Sequence, residues 1–207
     1  MQRTADLLVV RPESMISFEN DTKLVSELTA LVRSDPWIMD LLRAVRALHL
    51  QKWCIAAGVI RNKVWDHLHG YGDRTLPADI DVLFYDRDRT DDAYEADIES
   101  RLATIVPGVR WEAVNQAAIH SYTRDAPYES IEQAMSRWAD PVTAVGAHLT
   151  DEEQITILAA FGLHDLFGLV VKPNLVTPNA AAVYRERMIM KGWIARWPKL
   201  TILWPDD

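Results

Sequence analysis

One cysteine, Cys54, stands among the 207 residues, so an intrachain disulfide and a multi-cysteine zinc site are both excluded, and a reducing compartment is suggested. Cys54 lies in an apolar run and is expected to be a small core residue. Long apolar runs are also missing. The N-terminal stretch MQRTADLLVVRPESM holds an apolar patch of only four residues, too short for a signal peptide or a membrane span, so a cytoplasmic protein without membrane partners is expected. Positive charge is in deficit: a formal net charge of -8 argues against a broad surface for duplex DNA, while leaving room for a local basic cleft. Internal repeats and low-complexity tracts are absent too.

What is there is an ordinary globular composition, 49% hydrophobic and 25% charged, sufficient for one full core. A single domain over 1–207 is the expectation, with 1–50 a helical segment and 179–198 a C-terminal helix. Apolar spacing predicts a helix from Asp21, as N-cap, to Arg33, and a second from Trp37 to about Leu50 behind Asp35-Pro36. A strand over Lys52–Ala57, a glycine turn and a helix over Val59–His69 follow. Next come a strand over Asp79–Tyr85, a helix from about Asp91 to Ile105 and a strand over Val109–Val114. Asn115-Gln116-Ala117 is expected to open a helix running through His120, and a short helix is expected within 129–138. The runs 143–149 and 155–161 suit either a strand or a buried helix. Gly162–Gly168 looks helical, Leu169–Lys172 extended, and Ala180–Trp197 helical up to Pro198. Helices mixed with strands, partly in β-α-β order, point to an α+β or α/β chain around a modest mixed sheet.

The chemistry concentrates in Trp53–Tyr85. A glycine between a strand and a helix, here Gly58, lets a phosphate approach the backbone and meet amide donors at the helix N-terminus. About twenty residues later Asp79 and Asp81 alternate along a strand and project from the same face. Two carboxylates that close repel each other, so a divalent cation is their natural partner. Aspartate is also poorly suited to a strand interior, which favours a functional reading. Together the turn and the carboxylates suit phosphoryl transfer, in which a protein contributes chiefly positioning and charge stabilisation.

Five ordered blocks then carry a resemblance: AAGVIRNKVWDHLHGY, ADIDVLFYD, WEAVNQAAIH, GLHDLFGLVVKPN and YRERMIMKGWIARWPKL. From about Trp37 to Leu200 the chain resembles a bacterial nucleotidyltransferase-like family, long a domain of unknown function, within the superfamily that shares the DNA polymerase beta fold. The resemblance implies an α+β fold with a small mixed sheet flanked by helices. It further implies Mg2+ (or Mn2+) held by Asp79 and Asp81, and a phosphate near Gly58. A third carboxylate normally sits on a later strand, and Glu112 is the candidate, with Arg110 and Val114 on its face and Trp111 and Ala113 on the other. The superfamily usually has Gly-Gly or Gly-Ser in the turn; here Gly58-Val59 offers only backbone amides, helped by Arg61.

Arg61 and Asn62 are candidates to contact phosphate or base, Arg61 equally to pair with an aspartate. Asn115 and Gln116 are candidate polar contacts to substrate. Lys63 is expected to be solvated, while Lys172, Arg185, Arg187 and Lys191 are available to a triphosphate. The tryptophans are read as packing anchors, with stacking on a base open to one of them. The expected activity is metal-dependent transfer of a nucleoside monophosphate from a nucleoside triphosphate to an unknown acceptor, whether small molecule, protein or RNA. The alternative is a catalytically weak or inactive nucleotide-binding or protein-interaction module on the same fold.

Overall fold

A computed structural model describes residues 13–123 and 125–206. The apolar patch near the N-terminus lies outside them. Among the described residues, no helix is long and apolar enough to cross a membrane.

Helix α1, Glu13–Arg33, begins well before the expected Asp21 cap, which therefore sits inside the helix and faces His164 at 3.1 Å. Its Leu28 and Val32 reach the core. Helix α2, Pro36–Arg46, starts as expected: Asp35 accepts from the N–H groups of Trp37 and Ile38, and Pro36 fills the first turn. The Asp35 carboxylate is buried, and burial alone would raise its pKa. Hydrogen bonds from Lys63 and Arg74 outweigh that and hold it low. Lys63 is thus not solvated but paired, at 3.0 Å.

Strand β1, Trp53–Ala56, leads into helix α3, Gly58–His69; strand β2, Ile80–Phe84, into helix α4, Asp92–Ile105, and strand β3, Trp111–Asn115. Short helices α5, His120–Thr123, and α6, Ile131–Met135, precede strands β4, Val145–Leu149, and β5, Ile155–Ala159. Both ambiguous runs are therefore strands, because each finds a partner: Val145 to Leu149 pair residue by residue with Ala159 to Ile155. The five-stranded sheet has the order β3-β2-β1-β4-β5. Only β2 and β3 run parallel within it, the direction change being made by α4. This is the α+β arrangement expected.

Alternation along β2 and β3 decides the layers. Ile80, Val82, Phe84, Trp111 and Ala113 enter the main core with Leu41, Leu42, Ile60 and Trp65 from the helices. Leu83 faces the other side, where Cys54, Ala56, Ile131 and Met135 form a second cluster. Asp81 and Glu112 share that second face.

The C-terminal part adds helix α7, His164–Phe167, strand β6, Val170–Val171, helices α8, Ala180–Lys191, and α9, Trp193–Arg196, and strand β7, Thr201–Ile202. The single helix expected over 180–197 is broken at Gly192, whose φ of 56° is left-handed. The strand at 201–202, paired with β6, was not foreseen.

Candidate active site

Register brings the turn and the carboxylates together. Asp81 lies opposite Ala56 on β1, one residue before the turn, and opposite Glu112 on β3. Asp79, Asp81 and Glu112 each offer a carboxylate oxygen within 4.8 Å of the others. Burial first, then the charges of Asp79 and Glu112, push the Asp81 carboxyl up to about 6, against a smaller pull from Arg61 and Lys191. None of the three carboxylates has an ion-pair partner among the described residues. Crowded negative charge presented by hard oxygen donors fits a divalent cation of the Mg2+ or Mn2+ type.

The turn itself differs from its sequence reading. The residue in glycine-favoured geometry is Ala57, at φ 55° and ψ -117°, and α3 then starts with no side-chain cap. The N–H groups of Gly58, Val59 and Ile60 precede the first intrahelical bond, from Arg61 N–H to Ala57. The Val59 side chain is buried in the main core, so it can offer only its backbone. Gly58 is required for a closer reason than phosphate approach: a Cβ there would stand 2.8 Å from Cβ of Pro77, in the loop that delivers Asp79. Gly58→Ala is expected to destabilise the fold by about 1–3 kcal/mol. Because the clash is with a Cβ, Pro77→Gly should relieve it and Pro77→Ala should not, as melting curves of the double variants will register.

Asp79 and Asp81 border a cleft of about 780 Å³, walled on one side by Ala57, Gly58, Arg61 and the 75–79 loop, and on the other by Trp138–Asp140, Arg187 and 191–197. One buried carboxylate joins these walls, and a second braces the far one. Asp66 accepts from the Thr75 N–H at 2.7 Å and from the Trp197 indole at 2.8 Å. Asp140 accepts from the Thr143 N–H at 2.9 Å and pairs with Arg187 at 2.8 Å.

Arg61 does line the cleft, but it pairs with neither aspartate. It donates to the Thr143 hydroxyl at 3.1 Å and to Asn62 at 2.9 Å, and its guanidinium lies 4.5 Å from the Trp193 ring. Burial, opposed by Asp140 and reinforced by Arg187, lowers its pKa to about 10, so it stays charged at neutral pH. Asn62 is engaged as well, donating to the Thr75 carbonyl at 3.1 Å, and therefore fixes the loop.

Asn115 and Gln116 lie elsewhere. Asn115 pairs with Phe84, three residues along β2 from Asp81, or ~10 Å at strand rise. It ends a strand instead of opening a helix: its amide donates to the Asp86 and Arg89 carbonyls, and its oxygen accepts from the Asp86 and Ala117 N–H groups. Gln116 is buried and donates to the Val114 carbonyl. Neither borders the cleft, and Asn115 is a loop clamp. Of the proposed cations, Arg187 and Lys191 line the cleft, whereas Lys172 pairs with Asp165 and Arg185 reaches the Pro205 carbonyl. Trp138, Asp140, Thr143, Arg196 and Trp197 are cleft residues that sequence reading did not place there; the basic spacing of 185–199 was the available signal.

A carboxylate trio beside an uncapped helix start, on a five-stranded mixed sheet, is an arrangement of the nucleotidyltransferase class. The chain belongs to the nucleotidyltransferase family whose model matches residues 43–202. A solved structure described as a CCA-adding enzyme head domain is 29% identical and superposes with a TM-score of 0.76, covering 87% of this chain and 96% of that one. A CCA-adding enzyme in complex with CTP is 14% identical with a TM-score of 0.57, covering 86% of this chain but 43% of its own. The Thermotoga maritima CCA-adding enzyme complexed with tRNA is 16% identical with a TM-score of 0.55, covering 86% and 42% respectively. The chain thus spans under half of those two enzymes, which share its fold. No curated protein sequence matches it.

Proposed function

We propose that the protein transfers a nucleoside monophosphate from a nucleoside triphosphate to an acceptor hydroxyl or phosphate. The observation that carries this reading is a carboxylate trio of which Asp79 and Asp81 line a cleft whose facing wall presents Arg187, Lys191 and Arg196. A triphosphate laid between them meets the N–H groups at the start of α3 on one side and these cations on the other. The acceptor oxygen attacks the α-phosphorus, the bond from phosphorus to the bridging oxygen breaks, pyrophosphate leaves, and the acceptor's proton passes to solvent. A divalent cation bound by Asp79, Asp81 and Glu112 would supply the positive charge that offsets both phosphate and carboxylate charge.

The closeness of Glu112 to the aspartates supports this reading over an inactive module, which a wide separation would have favoured. A nucleotide donor is in keeping with the CTP bound by the similar CCA-adding enzyme. The test is calorimetric titration of the full chain with each nucleoside triphosphate, with and without Mg2+. Mg2+-dependent binding that disappears in the Asp79→Ala, Asp81→Ala double variant is expected. Absence of binding, or binding indifferent to that variant, overturns the proposal.

A further inference from the structure

Of the three tryptophans that line the cleft, two are committed to the protein itself. Trp193 is buried under the Arg61 guanidinium, and the buried Trp197 donates its indole N–H to Asp66. Trp138 differs. It is half-buried, it packs one side against the second apolar cluster, and its ring has no aromatic, cationic or hydrogen-bonding partner among the described residues. Its backbone, in contrast, is fixed. The buried Asn174 donates its amide to the carbonyls of Ser136 and Trp138, both at 2.8 Å, and its N–H to the Ala139 carbonyl at 2.9 Å. A half-buried indole that lines the cleft is thus carried on a pinned segment, which lowers the ordering cost of anything that stacks on it.

Three side chains nearby that could read a base edge, Asp140, Asn62 and Thr143, are already engaged, and the donor reading above gives Arg187, Lys191 and Arg196 to the phosphates. Both oxygens of Asp140 are taken by Thr143 and Arg187, both ends of the Asn62 amide by Thr75 and Arg61, and the Thr143 hydroxyl accepts from two guanidinium groups. Stacking is available to every base, because each has a π-face. We propose that the Trp138 indole is the platform on which the donor's nucleobase stacks, and that the cleft consequently accepts all four nucleoside triphosphates with little discrimination. This rests on the nucleotide-donor reading above and assigns its base subsite.

The experiment is calorimetry on the full chain in Mg2+, with ATP, GTP, CTP, UTP and, as a ligand without a base, tripolyphosphate. Wild-type affinities for the four nucleotides are expected to fall within about tenfold, purines tightest because they cover more of the indole. Trp138→Leu should weaken each nucleotide by about 5- to 100-fold while leaving tripolyphosphate unchanged, and Trp138→Phe should retain most of the affinity. Unchanged nucleotide affinity in Trp138→Leu, or an equal loss for tripolyphosphate, overturns the platform. A wild-type preference above tenfold for one base overturns the tolerance. Nucleotides that bind no tighter than tripolyphosphate defeat this inference alone, whereas failure of both ligand types to bind removes the donor reading beneath it.

Discussion

Asp81→Asn is expected to raise the melting temperature of the metal-free protein and, in the same molecule, to erase its response to Mg2+. The reason is that Asp81 is a carboxylate held where its charge is disfavoured, by burial first and by Asp79 and Glu112 next. Its folded pKa of about 6 lies above the ordinary aspartate value of 3.8, so the folded state binds the proton more tightly than the unfolded state does. The resulting penalty is absent below the unfolded value, grows as pH rises between the two, and is complete above the folded value. Wild type without metal should therefore lose stability relative to Asp81→Asn across that window and keep a constant deficit at higher pH. After allowance for partial solvent screening the deficit is about 1–2 kcal/mol, or roughly 2–8 °C for a chain of this size. Mg2+ should close the gap for wild type and leave the variant unmoved, with nucleotidyl transfer down by more than about a hundredfold. Parallel thermal melts at pH 4 and pH 7 with and without Mg2+ check all of this; a variant that melts below metal-free wild type at pH 7 contradicts it.

The second large effect belongs to Asp140. Its carboxylate is 1% exposed and is the counter-charge for Arg187, while Arg61 stands within the same electrostatic neighbourhood. Asp140→Ala leaves two guanidinium groups facing each other across the Thr143 hydroxyl with no anion between them. Removing one partner of a buried pair costs about 3–5 kcal/mol, or roughly 6–20 °C in melting temperature here. Replacing the pair together, as in Asp140→Asn with Arg187→Met, should recover much of that stability, because the stranded charge is removed as well. Nucleotide binding should not recover with it, since Arg187 belongs to the cleft wall. A double variant as unstable as Asp140→Ala would show that the pair is not the source of the loss.

The approach of Asp79 to Asp81 was legible because acids two positions apart, one just before an apolar strand and one within it, have one geometric consequence, a shared face. Glu112 was legible for the same reason, once family resemblance asked for a third carboxylate. The order of elements followed from spacing and caps wherever both acted locally, as at Asp35-Pro36. What failed were the places where tertiary partners decide. Asn115 carries the same signal whether it caps a helix or clamps a loop, and only the carbonyls of Asp86 and Arg89 separate the two. Lys63 looks solvated until Asp35 is seen beside it. At Gly58 the turn was legible but its packing was not: the nearest constraint is Pro77, and the residue with positive φ is Ala57. The far wall of the cleft left almost no local trace, since Trp138 and Asp140 read as the end of a short helix.

The Asp66 bridge joins residues 131 positions apart in the chain. During synthesis, a nascent polypeptide that has delivered residues up to 149 already holds β1 to β4 and all three carboxylates, yet only half of a binding surface. On the proposed function, competence for nucleotide waits until 187–197 has emerged and docked on α3. An incomplete chain therefore carries the acidic trio without the wall that would let it engage a triphosphate.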